Sequence, residues 1–460
     1  MEQEMKKIGS LRIVDCGVGH YAIRLASSMR SDDDMLSSWL NMGGNDWEQA
    51  PATLGSVRTV PWGRRDDMPR MVRDLLERNN IGPGILQRKL GLIYGEGPAL
   101  YRSDINDEGL PQRTWTTDAQ VEQWLASWDA RRYCREALQQ YLHMNGHFTK
   151  YVMGKGVRIG RAWVHHLECL DAADCRLVWP GDGDSYMPHP QLADIKQVIH
   201  GDIDHSQQLQ LFPVFRRDAP TAAEAAIGYH NLASFGRTLY SVCSFFGSIP
   251  WMQNANDIAD IVRVLNENMI AAAYIVHEPS GYWEQKRMAL LEDHPDWSNA
   301  RIDKELENLR DGITRKLAEV MAGKRNAGKF FTCVDFIDDR GTLQEWKVEP
   351  IDMNIDKYLS AQQKISKIAD SASTSGFGLS ASLANIIIDG KSDSGSQMLY
   401  AVKLFFAADT QIAEEIALEA LNDAIHINFP DRQDLAVGFY HRIIQKEDNV
   451  SAGERAVNQV

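Results

Sequence analysis

The chain has 460 residues, a formal net charge of −14 and a sequence pI near 5.4. That balance is the opposite of the basic footprint of a protein that grips phosphates, which argues against tight, sequence-reading nucleic-acid binding. Apolar residues at 44% and charged residues at 24% argue against wholesale disorder.

Lys6 and Lys7 are not followed by an apolar h-region, and no window approaches the continuous apolar length that spans a bilayer, so neither secretion nor membrane insertion is expected. Cys16, Cys134, Cys169, Cys175, Cys243 and Cys333 are scattered without a CxxC pair and read as free thiols of a reducing compartment. An internal repeat of solenoid length is absent from the sequence.

The stretch to Ala52 mixes short apolar pieces with acidic and glycine-rich turns and reads as peripheral. From Val60 a turn-rich run, Pro61-Trp62-Gly63-Arg64-Arg65-Asp66-Asp67-Met68-Pro69, leads into a helix beginning near Pro69 with Met71, Val72, Leu75 and Leu76 on its apolar face. Residues 85–101 predict a helix ending in a turn around Gly91, Gly95 and Gly97. A second helix is predicted over 118–145, with Val121, Trp124, Leu125 and Trp128 on one face. Strand-like runs follow at 151–153, 157–159 and 176–178.

Residues 258–274 predict a helix that passes into an apolar strand at 271–276. Ile302, Leu306, Leu309, Ile313, Leu317 and Val320 recur with the 3.6-residue period of a one-sided helix. Residues 329–337 and 344–348 predict a hairpin about Asp338-Asp339-Arg340-Gly341, followed by a helix at 354–369. The Ser/Gly-rich segments 371–378 and 389–396 read as mobile loops flanking the apolar run 383–388. A long helix is expected over 396–428, with Ile412, Ile416, Leu421 and Ile425 inward, and a closing strand over 435–444. The fold class is α+β.

Four patterns resemble catalytic or ligand sites. Asp335 with Glu345-Trp346-Lys347 on an adjacent strand has the residue types that hold a metal and activate water in nucleases; a solvated hairpin gives the same loose spacing and is the favoured reading. Gly390-Lys391-Ser392 resembles the end of a phosphate loop, but the earlier glycine it needs falls at Asn385. His165, His166, Cys169 and Cys175 match no usual zinc spacing. Asp182-Gly183-Asp184 lacks the remaining ligands of a calcium loop and reads as a turn. With no Gly-x-Ser-x-Gly elbow and no HExxH pair, no metal, cofactor or enzymatic activity is assigned.

The order of segments between about Val57 and Phe439 resembles the portal proteins of long-tailed bacteriophages. Val60 to Pro69 is similar to the portal segment before the first wing helix, and Leu92-Ile93-Tyr94-Gly95-Glu96-Gly97 to the turn after it. Asn326-Ala327-Gly328-Lys329, a strand, Trp346-Lys347-Val348-Glu349-Pro350-Ile351, and a helix through Asp356, Tyr358 and Gln362 form a succession seen in portals. It continues into Gly376-Phe377-Gly378-Leu379 and Ser394-Gly395-Ser396-Gln397, although the Val-Pro-Pro often found near Phe377 is missing.

The resemblance implies an elongated α+β subunit with an N-terminal region and wing (1–254), a first stem helix (255–270), an α/β clip (271–350), a second stem helix (351–370), a tunnel-loop region (371–397), and a long wing helix, closing strand and short helical crown (398–460). It further implies a closed homo-oligomer of twelve subunits at a capsid vertex of the virion, assembled in the host cytoplasm. Its partners would be the terminase large subunit, the major capsid protein and scaffold, head-tail adaptor proteins, and double-stranded DNA passing without sequence readout. Lys391, Ser392 and Ser394 are the candidate tunnel contacts. The alternative reading is a metal-dependent nuclease using Asp335, Glu345 and Lys347.

Overall fold

The computed structural model describes residues 5–8, 11–15, 20–23, 48, 50–105, 109, 111–156, 162–181, 190–267, 274–278, 280–321, 336–337, 343–344, 346–350, 355–384 and 395–441. It divides into two compact units: a main unit of Ser37–Gln253 with Lys367–Val460, and an inserted unit of Met1–Leu36 with Asn254–Ser366.

The chain opens with an antiparallel meander, β1 (Met5–Ile8), β2 (Leu11–Asp15) and β3 (His20–Ile23), belonging to the inserted unit. The main unit then begins with the short hairpin β4 (Ala52–Leu54) and β5 (Val57–Thr59). The turn-rich run that follows is anchored rather than loose. Trp62 is fully buried and stacks on Tyr240 at 4.3 Å. Asp66, held at φ +59, accepts from the Trp62 amide at 2.7 Å and from Arg176 Nε at 2.5 Å. Arg176 is itself fully buried, and its remaining donors reach the carbonyls of Asp66, Ala172, Ala173 and Cys175. A buried guanidinium is tolerated because every side meets an acceptor.

Helix α1 (Met68–Arg78) buries Met71, Val72, Leu75 and Leu76 as its spacing predicts, with proline in the first turn where its missing N–H costs nothing. Helix α2 (Gly82–Tyr94) ends at the Gly95–Gly97 turn, where φ is +54 and +102, and leads into strand β6 (Pro98–Ile105), which pairs with β7 (Pro111–Trp115). The helix expected over 118–145 is two helices, α3 (Ala119–Ala126) and α4 (Ala130–Met144). The break has a local cause: Ser127 Oγ donates back to the Trp124 carbonyl at 2.7 Å, and Asp129 caps the new helix by accepting from the Arg132 amide at 3.0 Å. Asn145, at φ +53, closes α4.

The central sheet, in order β13-β8-β9, is antiparallel and comprises β8 (Gly146–Met153), β9 (Val164–Leu170) and β13 (Ala225–Asn231). Beside it in sequence, β10 (Cys175–Leu177), β11 (Gln197–Asp202) and β12 (Gln207–Pro213) form a second antiparallel sheet. The expected strands at 151–153 and 176–178 are part of this framework; 157–159 lies outside the described residues.

Helix α5 (Ile249–Glu267) carries the first boundary between the units. In the inserted unit, β14 (Tyr274–His277) is followed by α6 (Ser280–Asp293) and α7 (Asn299–Met321), the expected amphipathic helix. Its Ile302 is fully buried, whereas Leu309 is 40% exposed. The strands β15 (Phe336–Ile337) and β16 (Leu343–Gln344) form the predicted hairpin, but β17 (Lys347–Pro350) leaves it to pair with β14. Helix α8 (Ile355–Gly376) carries the second boundary.

The expectation of a mobile loop over 371–378 is corrected. Residues 371–376 continue α8, Ser373 is fully buried and Phe377 is 1% exposed. Ser373 and Thr374 donate their hydroxyls to the Ala369 and Asp370 carbonyls, each at 2.7 Å, so these polar residues satisfy themselves within the helix. A Cβ on Gly376 would collide with Ser248, whose hydroxyl donates to the Ala372 carbonyl at 3.0 Å.

After α9 (Ala381–Ala384), the helix expected over 396–428 is again two, α10 (Gly395–Ala408) and α11 (Gln411–Asn428). Thr410 interrupts it by donating its hydroxyl back to the Phe406 carbonyl at 3.2 Å. Ile416, Leu421 and Ile425 point inward, but Ile412 is 51% exposed: it stands in the first turn of the new helix, and the phase of the apolar face restarts there. Strand β18 (Leu435–Phe439) completes the sheet β18-β6-β7. The main core lies between α4, α11 and the central sheet.

Candidate functional site

Lys391, Ser392 and Ser394, the predicted DNA contacts, lie outside the described residues, but both ends of their segment are held. On one side α8 is followed by Phe377, whose ring lies 4.8 Å from that of Phe245, and Gly378 turns the chain at φ +64. Lys89 of α2 donates from Nζ to the Phe377 carbonyl at 2.9 Å, a cation placed at a helix C-terminus where free carbonyls collect. Burial lowers the pKa of Lys89, while Asp409 opposes that shift. Leu383 of α9 and Phe405 of α10 are each 2% exposed, so α9 and α10 seat the flanks of the segment on the core. The outer side of α10 is different: Tyr400 and Leu404, one turn apart, are 64% and 68% exposed.

The densest set of described polar side chains joins α11 to the central sheet. Tyr133 and Thr149 share a hydrogen bond at 2.8 Å, Thr149 reaches His147 Nδ1 at 3.1 Å, and His147 Nε2 faces the Ile416 carbonyl at 3.0 Å. Because a carbonyl only accepts, Nε2 carries the hydrogen and Nδ1 takes the threonine hydroxyl, which fits a neutral imidazole. Burial, then the neighbouring His230, pushes the His147 pKa down to about 3. His230 stacks on His147 at 5.3 Å, meets Tyr151 at 3.2 Å and donates from Nδ1 to Glu419 at 2.9 Å. That bond holds the Glu419 carboxyl below its ordinary range.

A shallow recess opens outside this set, lined in part by Phe215, Arg217, His230, Glu419 and Asp423. Arg217 and Asp423 form an ion pair across it. The set contains no hydroxyl or thiol activated by an adjacent base: Thr149 donates to a histidine that is locked neutral and sealed from solvent. Its evident work is to fasten α11 to β8 and β13. Sequence reasoning missed it, as it missed Glu48, a buried carboxylate that accepts from the amides of Thr238, Leu239 and Tyr240.

Of the nuclease candidates, Asp335 and Glu345 lie outside the described residues. Lys347 stands on β17 opposite His277, whereas the hairpin partner of Phe336 is Gln344. The expectation that Lys347 belongs to the hairpin strand beside Asp335 is therefore corrected, because the chain leaves that hairpin before Lys347. His165, His166 and Cys169 lie along β9 and Cys175 on β10. His166 instead pairs with Glu168 at 3.1 Å, and burial raises the Cys169 and Cys175 thiols. Among the described residues no group of three or more histidine, cysteine or acidic side chains is placed to hold a metal. Gly390 and the 182–184 turn also lie outside the described residues. No helix among the described residues is long and apolar enough to cross a membrane.

No family model and no curated protein matches this chain. Among solved structures it is similar to a chain of the neck of an empty GTA particle computed with C6 symmetry, at 13% identity over 87% of this chain and 88% of that one, with a TM-score of 0.45. A chain of the neck of a native GTA particle computed with C12 symmetry matches at 13% identity over 88% and 89%, with a TM-score of 0.44. A chain from the virion of a native gene transfer agent particle matches at 13% identity over 92% of each, with a TM-score of 0.42. At these values the matches assign this chain no activity and no partner.

Proposed function

We propose that this chain is a portal-type ring subunit, the channel through which double-stranded DNA enters and leaves a capsid, and that it acts without chemistry of its own. The observation that carries the reading is the way the chain is divided. An inserted unit, Asn254–Ser366 with the N-terminal residues, interrupts the main unit, and both boundaries fall inside long helices, α5 and α8. A clip carried between two stem helices requires that chain order, and the sequence resemblance places the stems at the same two helices.

In this reading copies of the chain close into a ring by heterologous contacts, twelve being the number the resemblance implies. Force comes from a separate terminase, while the portal aligns the duplex and later meets the adaptors. The Ser/Gly-rich segment carrying Lys391, Ser392 and Ser394 touches the DNA backbone weakly and without base readout, as its residue types and the acidic chain both suit. The surrounding elements support a base for such a segment, since Lys89, Leu383 and Phe405 anchor its flanks.

Native mass spectrometry of the purified chain, alone and with capsid and scaffold proteins, tests the reading. A closed oligomer supports it. A monomer in every mixture contradicts it, and magnesium- or manganese-dependent DNA cleavage lost in Glu345→Ala would replace it with the nuclease reading.

A further inference from the structure

The chain between β13 and α5 presents three successive backbone amides to one buried carboxylate. Glu48 is 4% exposed, and both of its oxygens are in use. Oε2 accepts from the Thr238 amide at 3.0 Å and from the Thr238 hydroxyl at 3.4 Å, and Oε1 accepts from the amides of Leu239 and Tyr240 at 3.3 and 3.1 Å. Successive amides that converge on one point form a concavity of positive partial charge, which favours an anion. Here the donors come in two pairs, one for each oxygen of a planar carboxylate.

The frame that holds these amides is built without Glu48. Tyr240 is 1% exposed and its ring stacks on Trp62. Its hydroxyl donates to the Val60 carbonyl at 3.2 Å and accepts from the Leu177 amide at 2.7 Å. The next two amides have other acceptors: Ser241 donates to the Tyr229 hydroxyl at 3.1 Å, and Val242 to the Ser234 hydroxyl at 2.9 Å. Glu48 comes from far earlier in the chain and supplies the occupant, whereas the concavity belongs to the residues after β13. Donors fixed in advance lose little freedom when an anion arrives. Buried amides left without an acceptor are costly, so an emptied site has a drive to take an anion of matching size.

We propose that the amides of Thr238, Leu239 and Tyr240, with the Thr238 hydroxyl, form a carboxylate-binding site whose resident occupant is Glu48, and that a free carboxylate enters it once that side chain is removed. The site is complete within one copy, so it is expected in a ring subunit and in a monomer alike, and failure of the ring reading leaves it standing.

Chemical rescue tests it. Glu48→Gly removes the side chain to the backbone and leaves room for acetate. Hydrogen exchange of the full chain, resolved to single amides by fragmentation, is followed in sodium acetate and in sodium chloride of equal pH and ionic strength. In the variant, acetate at about ten times its dissociation constant is expected to slow exchange at Thr238, Leu239 and Tyr240 by about tenfold. Ser241 and Val242, whose acceptors are intact, should change less. The melting temperature of the variant should rise with acetate and saturate, and the unaltered chain, its site filled, should show neither effect.

Equal exchange in acetate and chloride at the three amides overturns the proposal. Equal protection by inorganic phosphate also overturns it, because the site would then select charge and not the shape of a carboxylate. If the glycine variant does not fold, Glu48→Ala with formate, which fits beside a retained Cβ, is judged by the same amides. Folding that returns only with the anion supports the site; variants that stay unfolded with and without it show that the frame depends on Glu48, and sink it.

Discussion

The middle and the last turns of helix α8 invert the usual relation between polarity and burial. Toward its middle, Ile365 and Ile368 are 37% and 54% exposed, while in its last two turns Ala369 and Ser373 are fully buried and Thr374 is 4% exposed. Small hydroxyl residues can be buried in a helix because the carbonyl four residues back satisfies them, and their size admits close neighbours such as Ser248. Exposed isoleucines have no comparable partner, and singly exposed apolar side chains are ordinary on a protein surface. Helices α10 and α11 repeat the contrast: α10 turns Tyr400 and Leu404 outward, and α11 buries Leu421 and Ile425 completely. Buried polar positions here follow hydrogen-bond supply rather than the polarity of the side chain.

The largest effect is expected at the buried end of α8. Phe377→Ala removes a side chain that is 1% exposed and packed on Phe245, and is expected to cost about 3–5 kcal/mol in denaturant unfolding. A loss below about 1 kcal/mol would mean that residues 371–378 are the loop their composition suggests. Gly376→Ala should cost about 1–3 kcal/mol through overpacking against Ser248.

A pH titration examines the fastening of α11. The folded pKa of His147 lies near 3, below its ordinary value of 6.5, so the unfolded chain binds the additional proton between these values. This contribution to stability is complete above pH 6.5 and is lost as pH falls toward 3. His147→Gln should lower stability at neutral pH and flatten that slope. Glu419, held low by His230, adds a term of the same sign that is lost in the acid range, and Glu419→Gln should remove it. The smallest effect belongs to the outward face of α8: Ile365→Ser with Ile368→Ser should change the unfolding free energy of one copy by less than about 0.5 kcal/mol per site.

Much of the fold was legible from period and punctuation. Helices α1, α2 and α7 and the turn at Gly95 and Gly97 follow from their apolar spacing and glycines. What was misread has identifiable causes. The breaks at Ser127 and Thr410 depend on side-chain hydroxyls returning to the backbone, which leaves the apolar pattern almost unchanged on either side. Strand β9 escaped because its buried residues, Val164, Leu167 and Leu170, recur every third position rather than every second, beside a register shift in β8. The end of α8 has the serine and glycine content of a loop, and its helical state depends on hydroxyls that bond to carbonyls four residues back. The His147, His230 and Glu419 set could not be found locally, since its members come from three distant elements, and Glu48 gives no signal near its own position. The candidate DNA contacts were chosen from composition and resemblance, and only the residues that anchor their flanks are placed.

Negative-stain electron microscopy of the purified chain tests the ring most directly. Particles of cyclic symmetry with a central hole wide enough for duplex DNA are the expected result. Single compact particles that persist when scaffold and capsid proteins are supplied would contradict it.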